Sequence, residues 1–155
     1  MKIDFHFHAA LSKKIGFELD FFRTTLQQAR QVGLDALAVT EHFNSSNIDV
    51  LYPTLDAEFE YVGDYYLADG IKLFPGLEID VQEGPHILVL GNRAAIEVLR
   101  GRLQPHLTPD TFCSMAERCL PNRLGWTASP SVLTRSAPTG TFTTLPRSYG
   151  PASTP

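Results

Sequence analysis

The residues of this 155-residue chain that can do chemistry are five histidines and a set of carboxylates. Their spacing is the first clue. His6 and His8 lie in Lys2-Ile3-Asp4-Phe5-His6-Phe7-His8, which alternates polar and apolar with period two. In an extended strand both rings leave one face, about 6.6 Å apart along the backbone, so they can converge on a metal ion. Such a pair alone is more often solvated than ligating, but its neighbours in the sequence strengthen it. His42 stands just past the next apolar run, Glu78 closes the one after, and His86 opens another. Imidazole and carboxylate are the ligand set of zinc, manganese and iron, and a carboxylate can bridge two ions. His6, His8, His42, Glu78 and His86 are therefore the candidate metal ligands. Two or three clustered ions can bind phosphoryl oxygens and lower the pKa of a bridging water towards neutrality, which is the chemistry of phosphoester hydrolysis.

The elements that must hold these groups alternate between strand and helix. Ile3, Phe5 and Phe7 form the apolar face of a first strand, with Asp4, His6 and His8 opposite. Asp20 can cap a helix carrying Phe22, Leu26 and Ala29, which Gly33 is placed to end. Ala36 to Thr40 reads as a parallel strand covered on both faces, ending in Glu41-His42. Residues 48 to 68 are expected to be helical, from Phe59, Val62 and Tyr66 at helical spacing, despite interruptions at Pro53 and Gly63. Lys72 to Ile79 reads as a strand with a turn or bulge at Pro75-Gly76, close enough to a strand at 86 to 90 to pair as a hairpin. Helices are expected over 94 to 103 and from Thr108-Pro109-Asp110 to about Arg118. This order points to an α/β sheet or barrel with function at the carboxyl ends of its strands.

Composition divides the chain near residue 119. Residues 1 to 118 carry all 17 acidic residues and all five histidines, whereas 21 of the 37 residues from Cys119 onward are Pro, Ser, Thr or Gly. That second stretch shows no apolar periodicity and is expected to be disordered, reading as a frameshifted continuation of a longer gene. A formal charge of -4 gives no basic face for nucleic acid, and no apolar run is long enough to span a membrane. A cytoplasmic protein is expected. Cys113 and Cys119 do not form a metal-chelating pair and read as reduced thiols.

Residues 1 to about 118 resemble the polymerase and histidinol phosphatase (PHP) superfamily. The resemblance runs through Asp4-Phe5-His6-Phe7-His8, Gly33 to His42, Pro75-Gly76-Leu77-Glu78-Ile79 and His86-Ile87-Leu88. It implies the amino-terminal portion of a distorted seven-stranded β/α barrel with a site for up to three divalent ions, zinc, manganese or iron. It further implies ligand roles for His6, His8, His42, Glu78 and His86, with Glu78 bridging. The implied activity is metal-dependent hydrolysis of a small phosphorylated molecule or a nucleotide. The chain departs from the family in Leu11-Ser12-Lys13-Lys14, where an acidic residue or histidine is usual, and in Glu41-His42, more often Asp-His. Nothing after His86 supplies the family's later His-Pro and Asp-x-His motifs. Activity in this chain is therefore expected to be impaired. The alternatives are a noncatalytic metal-binding remnant or interaction module, and an amidohydrolase-like enzyme, which fits less well because that architecture wants a metal-bridging lysine and its remaining histidines later in the chain, whereas Glu78 and His86 come early.

Glu41 and His42 are the residues expected to take part in catalysis, Glu41 as a general base, as partner to a backbone amide, or as a ligand. Asp4 either orients a ligand histidine or has no special role. His106 reads as an exposed loop residue, Asp80 and Glu83 as solvated turn residues, and Tyr61, Tyr65 and Tyr66 as packing residues.

Overall fold

The computed structural model describes residues 1–10, 15–81 and 86–107 in full, and the backbone of 131–135 and 142–144. Strand β1 (Ile3–Phe7) leads through helix α1 (Leu19–Gln31) to β2 (Ala36–Val39). Helix α2 (Ile48–Glu58) precedes β3 (Glu60–Val62), β4 (Tyr65–Ala68), β5 (Ile71–Asp80), β6 (His86–Leu90) and helix α3 (Arg93–Leu103). Two short strands, β7 (Ser131–Arg135) and β8 (Phe142–Thr144), complete the described chain. The strands form one open sheet in the order β1-β2-β5-β6-β7-β8, with β4 also pairing with β5 and β3 with β4.

The parallel part is β1, β2 and β5, joined by crossovers through α1 and α2. Glu18 occupies the cap position of α1, so Asp20 lies in its first turn, where a negative charge meets the positive end of the helix dipole. Phe22, Leu26 and Ala29 are buried as their spacing predicts. The helix closes through Gly33 N donating to Arg30 O and Leu34 N to Ala29 O, 2.9 and 3.0 Å. Every residue of β2 is buried, as a strand covered on both faces requires. Leu51, Tyr52 and Leu55 of α2 and Ile96, Leu99 and Leu103 of α3 join the same core.

Two expectations are corrected. The helix read over residues 48 to 68 ends at Glu58, and the chain then enters a β3–β4 hairpin, antiparallel with Val62 opposite Tyr65. Gly63, at φ 68°, opens its two-residue turn, and Asp69-Gly70, both at positive φ, make the next turn between Ala68 and Ile71. Turns with positive φ at these positions match the twist of paired strands, and tyrosine and valine suit a pleated surface. The helical spacing of Phe59, Val62 and Tyr66 is coincidental.

The second correction concerns residues 119–155. Within this stretch, expected to lack structure, Ser131–Arg135 pairs antiparallel with His86–Leu90, and Phe142–Thr144 pairs with β7. An open edge of β6 is a template of unpaired amides and carbonyls that a neighbouring extended segment can satisfy. Side chains there, the expected helix after Thr108, Glu83, Cys113 and Cys119 lie outside the described residues.

Pro75-Gly76 lies within β5, which runs unbroken but changes partners there. Ile71–Pro75 holds β2 and β4, and Gly76–Asp80 forms the expected antiparallel hairpin with β6. A Cβ on Gly76 would fall 2.8 Å from Val89 O and 3.0 Å from Thr40 Cγ2, so only glycine allows this close approach. The Tyr52 hydroxyl of α2 donates to Gly76 O (2.9 Å) and accepts from Gly76 N (3.0 Å), pinning the switch from below.

Candidate metal centre

Strand pairing collects the chemistry on one face. The chain beyond β2 stays alongside β5, with Glu78 N donating to Glu41 O (2.9 Å) and Phe43 N to Glu78 O (2.8 Å), so His42 lies beside Glu78. Across the hairpin His86 stands opposite Asp80. Leu77 and Ile79 are fully buried, whereas Glu78 and Asp80 share the alternate face with the polar side of β1.

Glu78 is the hub. His6 Nε2 and His8 Nε2 each lie 3.0 Å from its Oε2 and 3.1 Å from each other. His42 Nδ1 is 3.6 Å from the same oxygen, and His86 Nδ1 contacts Oε1. Asp80 faces the same histidines, its Oδ2 2.8 Å from His42 Nδ1 and its Oδ1 3.0 Å from His86 Nδ1. His8 and His42 stack, their ring centroids 4.8 Å apart.

The carboxylates are deeply buried, Glu78 at 1% exposure and Asp80 at 2%, where an uncompensated charge is costly. Burial alone would raise the Glu78 pKa, but hydrogen bonds from His6 and His8 and the nearby His42 and His86 hold it far below the usual carboxylate range. Burial alone would lower that of His8, yet Glu41 and Glu78 outweigh it and raise it to about 9. The site therefore demands positive charge. One proton between His6, His8 and Glu78 can satisfy only one pair among three converging atoms. Ligands bound at about 2.0–2.2 Å are about 2.8–3.1 Å apart at octahedral angles and about 3.3–3.6 Å at tetrahedral ones, and the 3.0–3.1 Å separations here fall in the octahedral range. The donor set thus fits a divalent ion. His6, His8 and Glu78 form one group of potential ligands, and His42, Glu78 and Asp80 a second.

Each residue singled out in the sequence has a place. His6, His8, His42, Glu78 and His86 converge. Glu41 is buried, its Oε1 accepting from Ala10 N (3.1 Å) and its Oε2 3.9 Å from His8 Nδ1, so it anchors the chain beyond β1 and faces a histidine. Asp4 is exposed and accepts from the backbone amide of His6 (2.9 Å), not from an imidazole. His106 lies in a short 3₁₀ turn after α3 and joins neither ligand group. Tyr66 is buried with its hydroxyl on Asp56, Tyr61 accepts from Arg93 N, and Tyr65 packs on Phe74, so the three tyrosines are packing residues. Asp80 is a correction, because it is buried in the cluster instead of solvated in a turn. The signal is present as Glu78-x-Asp80, the same period-two spacing as His6-x-His8; the polar residues after it disguise a strand that runs further than its apolar residues announce.

No family model matches the sequence, and no curated protein matches it. Solved structures do. PsfC from Pseudomonas syringae PB-5123 superposes with a TM-score of 0.67 at 20% identity, over 85% of this chain and 55% of that one. The lesion-specific endonuclease PfuEndoQ from Pyrococcus furiosus gives 0.60 at 17% identity, over 85% of this chain and 33% of that one. A proposed metal-dependent phosphoesterase from Bifidobacterium adolescentis, at 23% identity over 69% and 34% of the two chains, has a TM-score of 0.40, too loose a likeness to carry an argument. The chain spans about half or less of the length of these structures. No helix among the described residues is long and apolar enough to cross a membrane. At these identities the likenesses show the fold alone, a mixed α/β architecture, which in this chain is built on an open sheet.

Proposed function

We propose that residues 1–118 are a metal-dependent phosphoesterase domain of the PHP type, acting on a small phosphorylated molecule or a nucleotide. The observation that carries this reading is the convergence of four histidines on the buried Glu78 from three separate places in the sheet. Bound divalent ions would supply Lewis acidity and a water of lowered pKa. His6, His8, His42, Glu78 and His86 would hold them. Glu41 fixes the backbone at Ala10 and steadies His8, and the buried carboxylates keep the histidines turned inward. The acidic charge of the chain favours a small substrate, although the name of PfuEndoQ keeps DNA within the same phosphoester class.

The purified chain should bind zinc or manganese and turn over a generic aryl phosphate, with Glu78→Ala abolishing turnover. Metal bound without turnover would favour the noncatalytic reading. Equal metal content in wild type and a His6→Ala, His8→Ala double variant would refute the metal centre itself.

A further inference from the structure

We infer that Asp80 is itself a metal ligand, completing a second cation position with His42, His86 and Glu78. This rests on the proposed metal centre and deepens it. The sequence motifs place five ligands; the geometry adds a sixth of different origin, since Asp80 belongs to none of them.

Two roles are open to a carboxylate beside a histidine. It can accept a proton from the ring nitrogen that points away from the ion, orienting the ligand from outside, or it can bind the ion beside the ring. These differ in which nitrogen faces what. In the orienting role, the nitrogen on the carboxylate is the one turned away from the other ligands. Here the opposite holds. His42 Nδ1, which lies 2.8 Å from Asp80 Oδ2, is also the nitrogen 3.6 Å from Glu78 Oε2. His86 Nδ1, 3.0 Å from Asp80 Oδ1, is the nitrogen in contact with Glu78 Oε1. Both rings thus present one nitrogen to both carboxylates, and each Asp80 oxygen faces a different ring. Three side chains, His42, Glu78 and Asp80, pointing their donor atoms at a shared volume form the arrangement of ligands around an ion, and His86 adjoins them through both carboxylates. The ligand atoms of His42, Glu78 and Asp80 also lie within 4.8 Å of one another.

The cluster then has two lobes sharing Glu78. One holds His6, His8 and Oε2. The other holds His42, His86 and Asp80, with His86 on Oε1 and His42 facing Oε2. A bridging carboxylate between two such lobes is the arrangement of a two-ion site. Asp80 supplies to the second lobe an anionic ligand drawn from β5 itself, so this lobe is built from strands that the described chain already contains.

The experiment is metal stoichiometry on the full chain, using manganese(II) and zinc(II) alone, by titration calorimetry and by elemental analysis after gel filtration. Wild type is expected to bind two equivalents. Asp80→Asn keeps the shape and one acceptor oxygen; it should retain one equivalent and lose the second by more than about a hundredfold, beyond the 10–100-fold typical of an outer-shell partner. His86→Ala, at a half-exposed position that tolerates truncation, should do the same if Asp80→Asn fails to fold. His6→Ala should weaken the other equivalent. Two equivalents of unchanged affinity in Asp80→Asn would overturn the inference while leaving the metal centre standing, as would a single equivalent in wild type. No metal in wild type would bring down the proposed function as well.

Discussion

Replacing Gly76 with alanine separates the fold's demands from the site's. The new methyl would fall 2.8 Å from Leu90 Cδ2, 2.8 Å from Val89 O and 3.0 Å from Thr40 Cγ2. The leucine end can swing aside. The Val89 carbonyl belongs to the β5–β6 ladder, where Leu77 faces Val89, and Thr40 is buried at the end of β2. The strands themselves must therefore part by several tenths of an ångström. Overpacking of this kind costs about 1–3 kcal/mol. For a chain of this size each kcal/mol lowers the melting temperature by about 2–4 °C, giving a fall of about 2–12 °C.

The same displacement reaches the ligands. Glu78 lies two residues along β5, and the backbone of Gly76 is tied to the Tyr52 hydroxyl on both its N–H and its carbonyl. Moving this junction shifts Glu78 relative to His6 and His8, which approach it from β1 at 3.0 Å. A loss of metal affinity of about 10–100-fold is expected, the range seen when groups supporting a ligand are removed. Circular dichroism melting in chelator gives the first quantity, and calorimetric titration with manganese the second. If Gly76→Ala melts within about 1 °C of wild type and binds metal unchanged, the close approach does not position the site and the reasoning fails.

Two further outcomes are expected. Tyr52→Phe leaves the buried Gly76 N–H and carbonyl without the hydroxyl that pairs them, so urea denaturation should show a loss of about 1–3 kcal/mol; an unchanged midpoint would contradict the pinning role. In the metal-free protein the raised pKa of His8, from 6.5 to about 9, contributes stability that is fully present below about pH 6.5 and is lost as pH rises through about 9. The stability difference between wild type and His8→Gln in chelator should shrink over that window, and metal affinity should rise with pH as the competing proton leaves. A difference independent of pH would show that His8 is not held in its charged form.

The site is legible in the sequence where local periodicity and tertiary pairing agree. Alternation alone puts His6 and His8 on one face of β1, and the apolar run Ala36 to Val39 announces a buried strand whose end carries His42. The β5–β6 hairpin is readable from the short polar spacer between two strand-like runs. Asp80 escapes because a polar residue next to a polar spacer looks solvated unless the register is known; only pairing with His86 reveals that the strand continues. The β3–β4 hairpin escapes for a related reason. Phe59, Val62 and Tyr66 fit a 3.6-residue period over too short a stretch to exclude a period of two, and the decisive information lies in two-residue turns at Gly63-Asp64 and Asp69-Gly70. The strand at Ser131–Arg135 carries no strong signal of its own, since what it satisfies is the edge of β6, a feature of the folded sheet.

The arrangement also has a direction. Exposure of the four histidine side chains rises from 17% at His6 and 20% at His42 to 32% at His8 and 44% at His86. Glu78 and Asp80 lie beneath all of them. Carboxylates at the floor and histidines at graded depth place the charge where water is excluded and electrostatic attraction is strongest, while leaving one side of the cluster open. The proposed hydrolysis would need that opening, because water and a phosphoryl group would both have to reach the bound ions. The most exposed ligand, His86, belongs to the lobe that Asp80 completes. An ion held there would be expected to exchange with solvent more readily at His86 than at the deeper His42 and His6.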